Sequence, residues 1–222
     1  GAFVFSSGKN MGTFKAVGFP EDVGVFYRLE EYEGYSWTAH GRYPTNTPGW
    51  WGGAHPFALL DYSVVHNGEI SSYDANRRFI EMFGYKCNLQ TDTEVITYIL
   101  DYLTRIQGLS LEEAAGVIAA PFWSTIDAKR DAAARAESTY LRTLFPSLLI
   151  TGPFSIVLGF NGGLMALNDR LKLRSMVVGE KDDEVLIASE EAAIRMMEPD
   201  AKNIWAPAGG EPVIVTVKDG AF

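Results

Sequence analysis

Val65-His66-Asn67-Gly68-Glu69-Ile70-Ser71-Ser72 is the stretch on which the fold turns. Residues 58–65 lead into it and read as a buried strand. Asn-Gly after a strand usually marks a two-residue hairpin. Here the chain continues through Ile70-Ser71-Ser72 into a helix instead, which weakens the hairpin reading. Ser71-Ser72-Tyr73-Asp74 carries a helix-capping signal, and Gly84 is placed to close that helix.

Downstream, residues 85–89 read as a short strand. Thr91-Asp92-Thr93-Glu94 fits a capping box, and Val95, Ile96, Ile99, Tyr102, Leu103 and Ile106 continue it at helical spacing. Ser110-Leu111-Glu112-Glu113 caps another helix, and residues 126–144 form a polar, Ala-rich amphipathic one. After Gly152 the character changes: residues 154–159, 164–168, 176–179, 185–189 and 212–217 look like strands, interrupted by a short helix at 190–197. Upstream, residues 3–5 and 11–17 flank a turn-rich pentad and read as a strand pair. Residues 20–32 have helical spacing, 36–42 suggest a short strand, and 44–53 form a long loop with a tryptophan pair. Strands, a helical block and further strands predict a layered α+β domain spanning 1–222.

The bulk numbers suit such a domain. The chain has 222 residues, 47% hydrophobic and 21% charged, with a formal net charge of -9. That charge argues against non-specific binding to nucleic acid or to an anionic membrane surface. Cys87 is the single cysteine, which excludes an internal disulfide or a cysteine-rich zinc site and fits a reducing, cytoplasmic setting. No apolar run reaches the roughly 20 residues of a membrane helix.

Three places carry candidate chemistry. In Arg42-Tyr43-Pro44-Thr45-Asn46 a strand delivers an arginine to the mouth of the long loop, with Thr45 and Asn46 as neutral hydrogen-bonding groups beside it. The guanidinium fork suits a carboxylate, or else a structural ion pair. Asn67 and Gly68 offer a side-chain amide and a backbone N–H, a donor pair suited to an oxyanion, unless they form a plain turn. Asp92 either complements the helix dipole or holds a ligand ammonium group. Together these groups suit a free amino acid whose side-chain carbonyl is attacked, with glutamine as the obvious candidate.

Ala39-His40-Gly41-Arg42-Tyr43-Pro44-Thr45, Ala54-His55-Pro56-Phe57, Val65-His66-Asn67-Gly68-Glu69-Ile70 and Thr91-Asp92-Thr93-Glu94 resemble, in order and spacing, the class II glutamine amidotransferases. So do Gly152-Pro153-Phe154-Ser155, Leu167-Asn168-Asp169-Arg170 and Ala188-Ser189-Glu190-Glu191-Ala192. The resemblance covers about residues 15–217. Within the family, Trp50-Trp51-Gly52-Gly53 and residues 1–10 look most like the amidotransferase subunit of archaeal-type glutamate synthase. It implies an N-terminal nucleophile hydrolase fold, a four-layer αββα sandwich. It also implies that Arg42 binds the glutamine α-carboxylate with Thr45 or Asn46 nearby, that Asp92 binds the α-ammonium, and that Asn67 and Gly68 form the oxyanion hole.

The family's nucleophile is a cysteine at the start of the mature chain, activated by its own α-amine. Residue 1 here is Gly1, and Cys87 lies where the family has no nucleophile. The expectation is therefore an N-terminally incomplete domain that lacks its first strand and helix, with the cysteine upstream and this chain inactive alone. A non-catalytic glutamine-binding or structural subunit is the alternative. The resemblance further implies an ammonia-accepting synthase partner that carries flavin and iron–sulfur centres. No cofactor is expected on this chain, which has neither a cysteine cluster nor a dinucleotide fingerprint. His40, His55 and His66 are read as packed or hydrogen-bonded structural residues, with no metal site.

Overall fold

The computed structural model describes residues 10–44 and 49–217. Two antiparallel sheets form the centre. The larger orders its strands β1 (Phe57–Leu59), β2 (Tyr62–Gly68), β3 (Phe154–Phe160), β4 (Gly163–Asn168) and β8 (Val213–Thr216) side by side in that sequence. The smaller places β5 (Val177–Lys181) between β6 (Glu184–Ala188) and β7 (Lys202–Trp205).

Strand alternation gives the larger sheet two different faces. Val64 lies opposite Leu158, and Ile156 opposite Leu167. These residues are buried with Phe154 and Met165 in the main core, against helix α3 (Asp92–Asp101) and helix α4 (Leu111–Ile118). The other face carries Val65, Asn67, Ser155 and Val157, which meet Met176 and Ile187 near the smaller sheet across a small cavity. The result is an α+β sandwich with helices packed on a sheet and a sheet packed on a sheet.

Several local expectations hold. α2 (Tyr73–Glu81) and α3 begin at Ser72 and Thr91. At α4, Ser110 and Glu113 form a reciprocal capping box. Others are corrected. Residues 58–65 are not one strand: β1 and β2 form a hairpin turning at Leu60 and Asp61, with Leu60 at φ 51°. A leucine in the left-handed region carries no turn signal in sequence.

Residues 11–17 and 36–42 join no strand ladder among the described residues. Side chains anchor them instead: Phe14 packs on Tyr27 and Tyr32, the Tyr27 hydroxyl donates to the Lys15 carbonyl at 2.8 Å, and Thr38 Oγ1 lies 3.0 Å from Ser63 Oγ. The partner proposed for 11–17, residues 3–5, lies outside the described residues. Residues 85–89 are not a strand either, because the Asn88 and Leu89 amides donate to the Glu94 carboxyl. The helix expected over 20–32 ends as α1 (Pro20–Tyr27), where Arg28 turns left-handed. The one expected over 126–144 is α5 (Trp123–Asp127) and α6 (Ala132–Leu144), split where Asp131 caps the second. α7 (Glu191–Met197) is as expected, and β7 went unforeseen.

Candidate active site

Glycine geometry fixes the exit of β2. Gly68 has φ +149°, and a Cβ there would stand 2.1 Å from the Pro153 carbonyl oxygen. Gly152, at φ +95°, faces the Ser71 amide at 2.7 Å by the same measure. Only glycine permits two backbones to close in this way. The Glu69 amide then donates to Pro153 O at 3.0 Å, and the Ser71 amide to Thr151 O at 2.8 Å. These bonds carry the pairing past the end of the strand and into α2, so Asn67-Gly68 is a strand terminus and not a hairpin turn.

The alternation of β2 sends neighbouring side chains to opposite faces. Asn67 points between the sheets and makes a long donor contact to Ser189 Oγ at 3.4 Å. It borders a cavity of about 90 Å³ together with His40, His66 and Ser155. His66 points the other way, to the start of α3. Its Nδ1 lies 3.4 Å from Asp92 Oδ1 and 3.3 Å from Thr93 Oγ1.

Asp92 opens α3, as expected, and more than the helix dipole holds it. The Ile70 amide donates to Oδ2 at 3.2 Å, and the Thr93 hydroxyl to Oδ1 at 3.4 Å. Burial opposes the charged form. The contacts from His66 and from the Ile70 and Thr93 amides outweigh it, leaving the carboxyl below its usual range. A fifth of the side chain remains open to solvent.

Arg42 lies on segment 36–42 beside a groove of about 1240 Å³ that also reaches His40, His55 and Trp50. Its guanidinium is directed towards Gly53, and its charge adds to the burial that depresses the basicity of both His40 and His55. Thr45 and Asn46 lie outside the described residues. Arg42, Asp92 and the Asn67-Gly68 pair are thus linked through the histidines, and His40 borders both the groove and the small cavity.

That linkage is what the sequence left unseen. His40, His55 and His66 come from three separate segments yet gather around the start of α3. The His40 and His55 rings are 4.5 Å apart, and His55 Nε2 lies 2.9 Å from Thr93 Oγ1. Burial, reinforced by its charged neighbours, lowers His55 to about 2 and His40 to about 4, so both are neutral near pH 7. Among the described residues no group of three or more His, Cys, Asp or Glu is arranged to hold a metal ion. Cys87 is far from reactive: burial first, then Glu94 and Glu81, push its thiol up to about 12. Among the described residues no helix is long and apolar enough to cross a membrane.

Residues 2–220 match the family of class II glutamine amidotransferases, and the chain belongs to that family. It is 53% identical to an uncharacterized protein of Archaeoglobus fulgidus over 98% of this chain and 57% of that protein. It is 26% identical to the amidophosphoribosyltransferase of Methanocaldococcus jannaschii over 97% of this chain and 40% of the relative. With the glutamine amidotransferase-like protein GlxB of Rhizobium meliloti it shares 26% identity over 96% of this chain and 60% of the relative. The chain therefore spans about half the length of these relatives. A solved structure described as the allosteric regulatory enzyme of purine biosynthesis superposes on 80% of this chain and 32% of its own, with a TM-score of 0.53 at 17% identity. The fold is the α+β sandwich of the N-terminal nucleophile hydrolases.

Proposed function

We propose that this chain forms the glutamine site of a glutaminase domain that hydrolyses glutamine to glutamate and ammonia and passes the ammonia to a synthase partner. The observation that carries the proposal is the Asp92 carboxylate at the start of α3, kept ionised by an imidazole and backbone amides, touched by a hydroxyl, and a fifth open to solvent. Such a group is built to receive an ammonium. Arg42, aided by Thr45 and Asn46, holds the α-carboxylate. The Asn67 amide and the Gly68 N–H receive the oxyanion.

A cysteine thiol supplied from outside these 222 residues attacks the side-chain amide carbon. The C–N bond breaks, ammonia leaves with the thiol proton, and water hydrolyses the thioester to glutamate and thiol. Cys87 does not fit that role, being buried and held as a neutral thiol. On the sequence resemblance, the acceptor is a glutamate synthase subunit carrying flavin and iron–sulfur centres, with no cofactor on this chain, and the complex is cytoplasmic.

The buried state of the chain's one thiol also favours a second reading, a non-catalytic subunit that binds glutamine or only docks a partner. Calorimetry with glutamine, and mass analysis after exposure to a diazo-ketone glutamine analogue, distinguish these cases. Covalent labelling in the presence of the thiol-bearing segment supports hydrolysis, reversible binding alone supports a sensor, and no binding removes both. Arg42→Ala is expected to weaken glutamine binding by about 2–5 kcal/mol. A loss below ~1 kcal/mol takes Arg42 out of the site.

A further inference from the structure

Thr93 stands where the buried groups around Asp92 meet. It is 1% exposed, and its hydroxyl lies within 3.4 Å of an oxygen of Asp92 and of a ring nitrogen of both His55 and His66. Its backbone amide also donates to Thr91 Oγ1 at 3.1 Å. A hydroxyl has one proton to give and two lone pairs to accept with. An ionised carboxylate only accepts, so the proton goes to Asp92 Oδ1.

The two ring nitrogens must then donate. The unpartnered nitrogens agree with this direction. His55 Nδ1 and His66 Nε2 are buried with no hydrogen-bond partner among the described residues. A buried N–H without an acceptor is rarer than a bare lone pair, which places the protons on His55 Nε2 and His66 Nδ1. The chain therefore runs from His55 Nε2–H to Thr93 Oγ1, from Thr93 Oγ1–H to Asp92 Oδ1, and from His66 Nδ1–H to the same pair of oxygens. Oδ2 receives the Ile70 amide at 3.2 Å.

We propose that Thr93, backed by His55, is a positioning residue for the glutamine site, fixing the Asp92 carboxylate in the orientation that receives the ligand's α-ammonium. This inference rests on the reading of the site given above. Thr93 itself touches no ligand. It acts through Asp92, so its effect is confined to ligands that carry the ammonium.

The test is calorimetry on the full 222-residue chain, with L-glutamine and with glutaramate, which keeps the carboxylate and carboxamide but lacks the α-ammonium. Thr93→Val is expected to weaken glutamine binding at least tenfold and to leave glutaramate within twofold of the wild-type value. Thr93→Ser, which restores the hydroxyl, is expected to bind both ligands like the wild type. Equal weakening of the two ligands by Thr93→Val, or no weakening of glutamine, overturns the proposal. Nitrogen-15 NMR of the wild-type imidazoles supplies a readout that needs neither ligand nor variant. A proton on His55 Nε2 is expected, and one on Nδ1 overturns the hydrogen-bond direction. If the wild-type chain binds no glutamine while His55 carries its proton on Nε2, the functional reading fails and the network remains a structural feature.

Discussion

At the scale of single residues, the environment of His55 makes a measurable demand on pH. Its folded-state value of about 2 lies below the ordinary 6.5, so the unfolded chain binds the extra proton. The neutral ring's contribution to stability is complete above about pH 6.5 and is lost as pH falls from there towards 2. For a ring this buried, the loss at pH 5 is about 2 kcal/mol relative to pH 7.5. Denaturant unfolding at the two pH values, on wild type and on His55→Asn, measures it. The variant is expected to lose much of the acid sensitivity, and equal sensitivity in both would refute the assignment. Asp92 acts lower on the scale: its depressed carboxyl contributes fully above about pH 4 and loses that contribution only below it. Asp92 and the Asn67-Gly68 pair were visible in sequence as residue types suited to a ligand. Thr93 was not. The spacing of His55, His66 and Thr93 along the chain says nothing about their meeting, because the contact depends on which face of β2 turns towards α3.

At the scale of elements, the start of α3 shows how a correct boundary can hide a different device. Thr91-Asp92-Thr93-Glu94 reads as a capping box, and the helix does begin there. Yet Glu94 is 2% exposed and accepts from the Asn88 and Leu89 amides at 3.0 and 2.8 Å. Its carboxyl thus braces the segment that leads into Asp92 and abolishes the short strand expected over residues 85–89. Glu94→Ala is expected to cost about 2 kcal/mol and to speed hydrogen exchange at the amides of 88 and 89. Unchanged exchange there would show that the segment holds itself. The strands after Gly152 were legible because their residues are apolar and β-prone and polar turns separate them, Asn161-Gly162 and Asp182-Asp183. β7 was not, since Lys202-Asn203-Ile204-Trp205 alternates weakly and departs from regular pairing where Asn203 turns left-handed.

At the scale of the whole molecule, the two ends of the fold are unequally packed. The main core lies between the larger sheet and helices α3 and α4. Residues 17–43, in contrast, leave Phe19 at 74%, Phe26 at 76% and Tyr43 at 89% exposure, and α1 buries none of its residues. That much open apolar surface favours association. The isolated 222-residue chain is expected to bind a hydrophobic dye and to unfold broadly at low temperature. A sharp, cooperative melt at ordinary mesophilic stability, without dye binding, would contradict this. Sequence reading placed the layers correctly and missed this asymmetry, because segments 11–17 and 36–42 have the composition of strands but join no ladder among the described residues.

The junction between Gly68 and Pro153 also bears on how such a scaffold can diversify. With a carbonyl oxygen standing 2.1 Å from where a Cβ would be, position 68 is closed to mutation by sterics alone, whatever ligand the site serves. Asn67 next to it faces a cavity and is under no such restriction. Drift at this strand end is therefore one-sided: the backbone at 68 is inherited unchanged, while the side chain beside it stays free to vary.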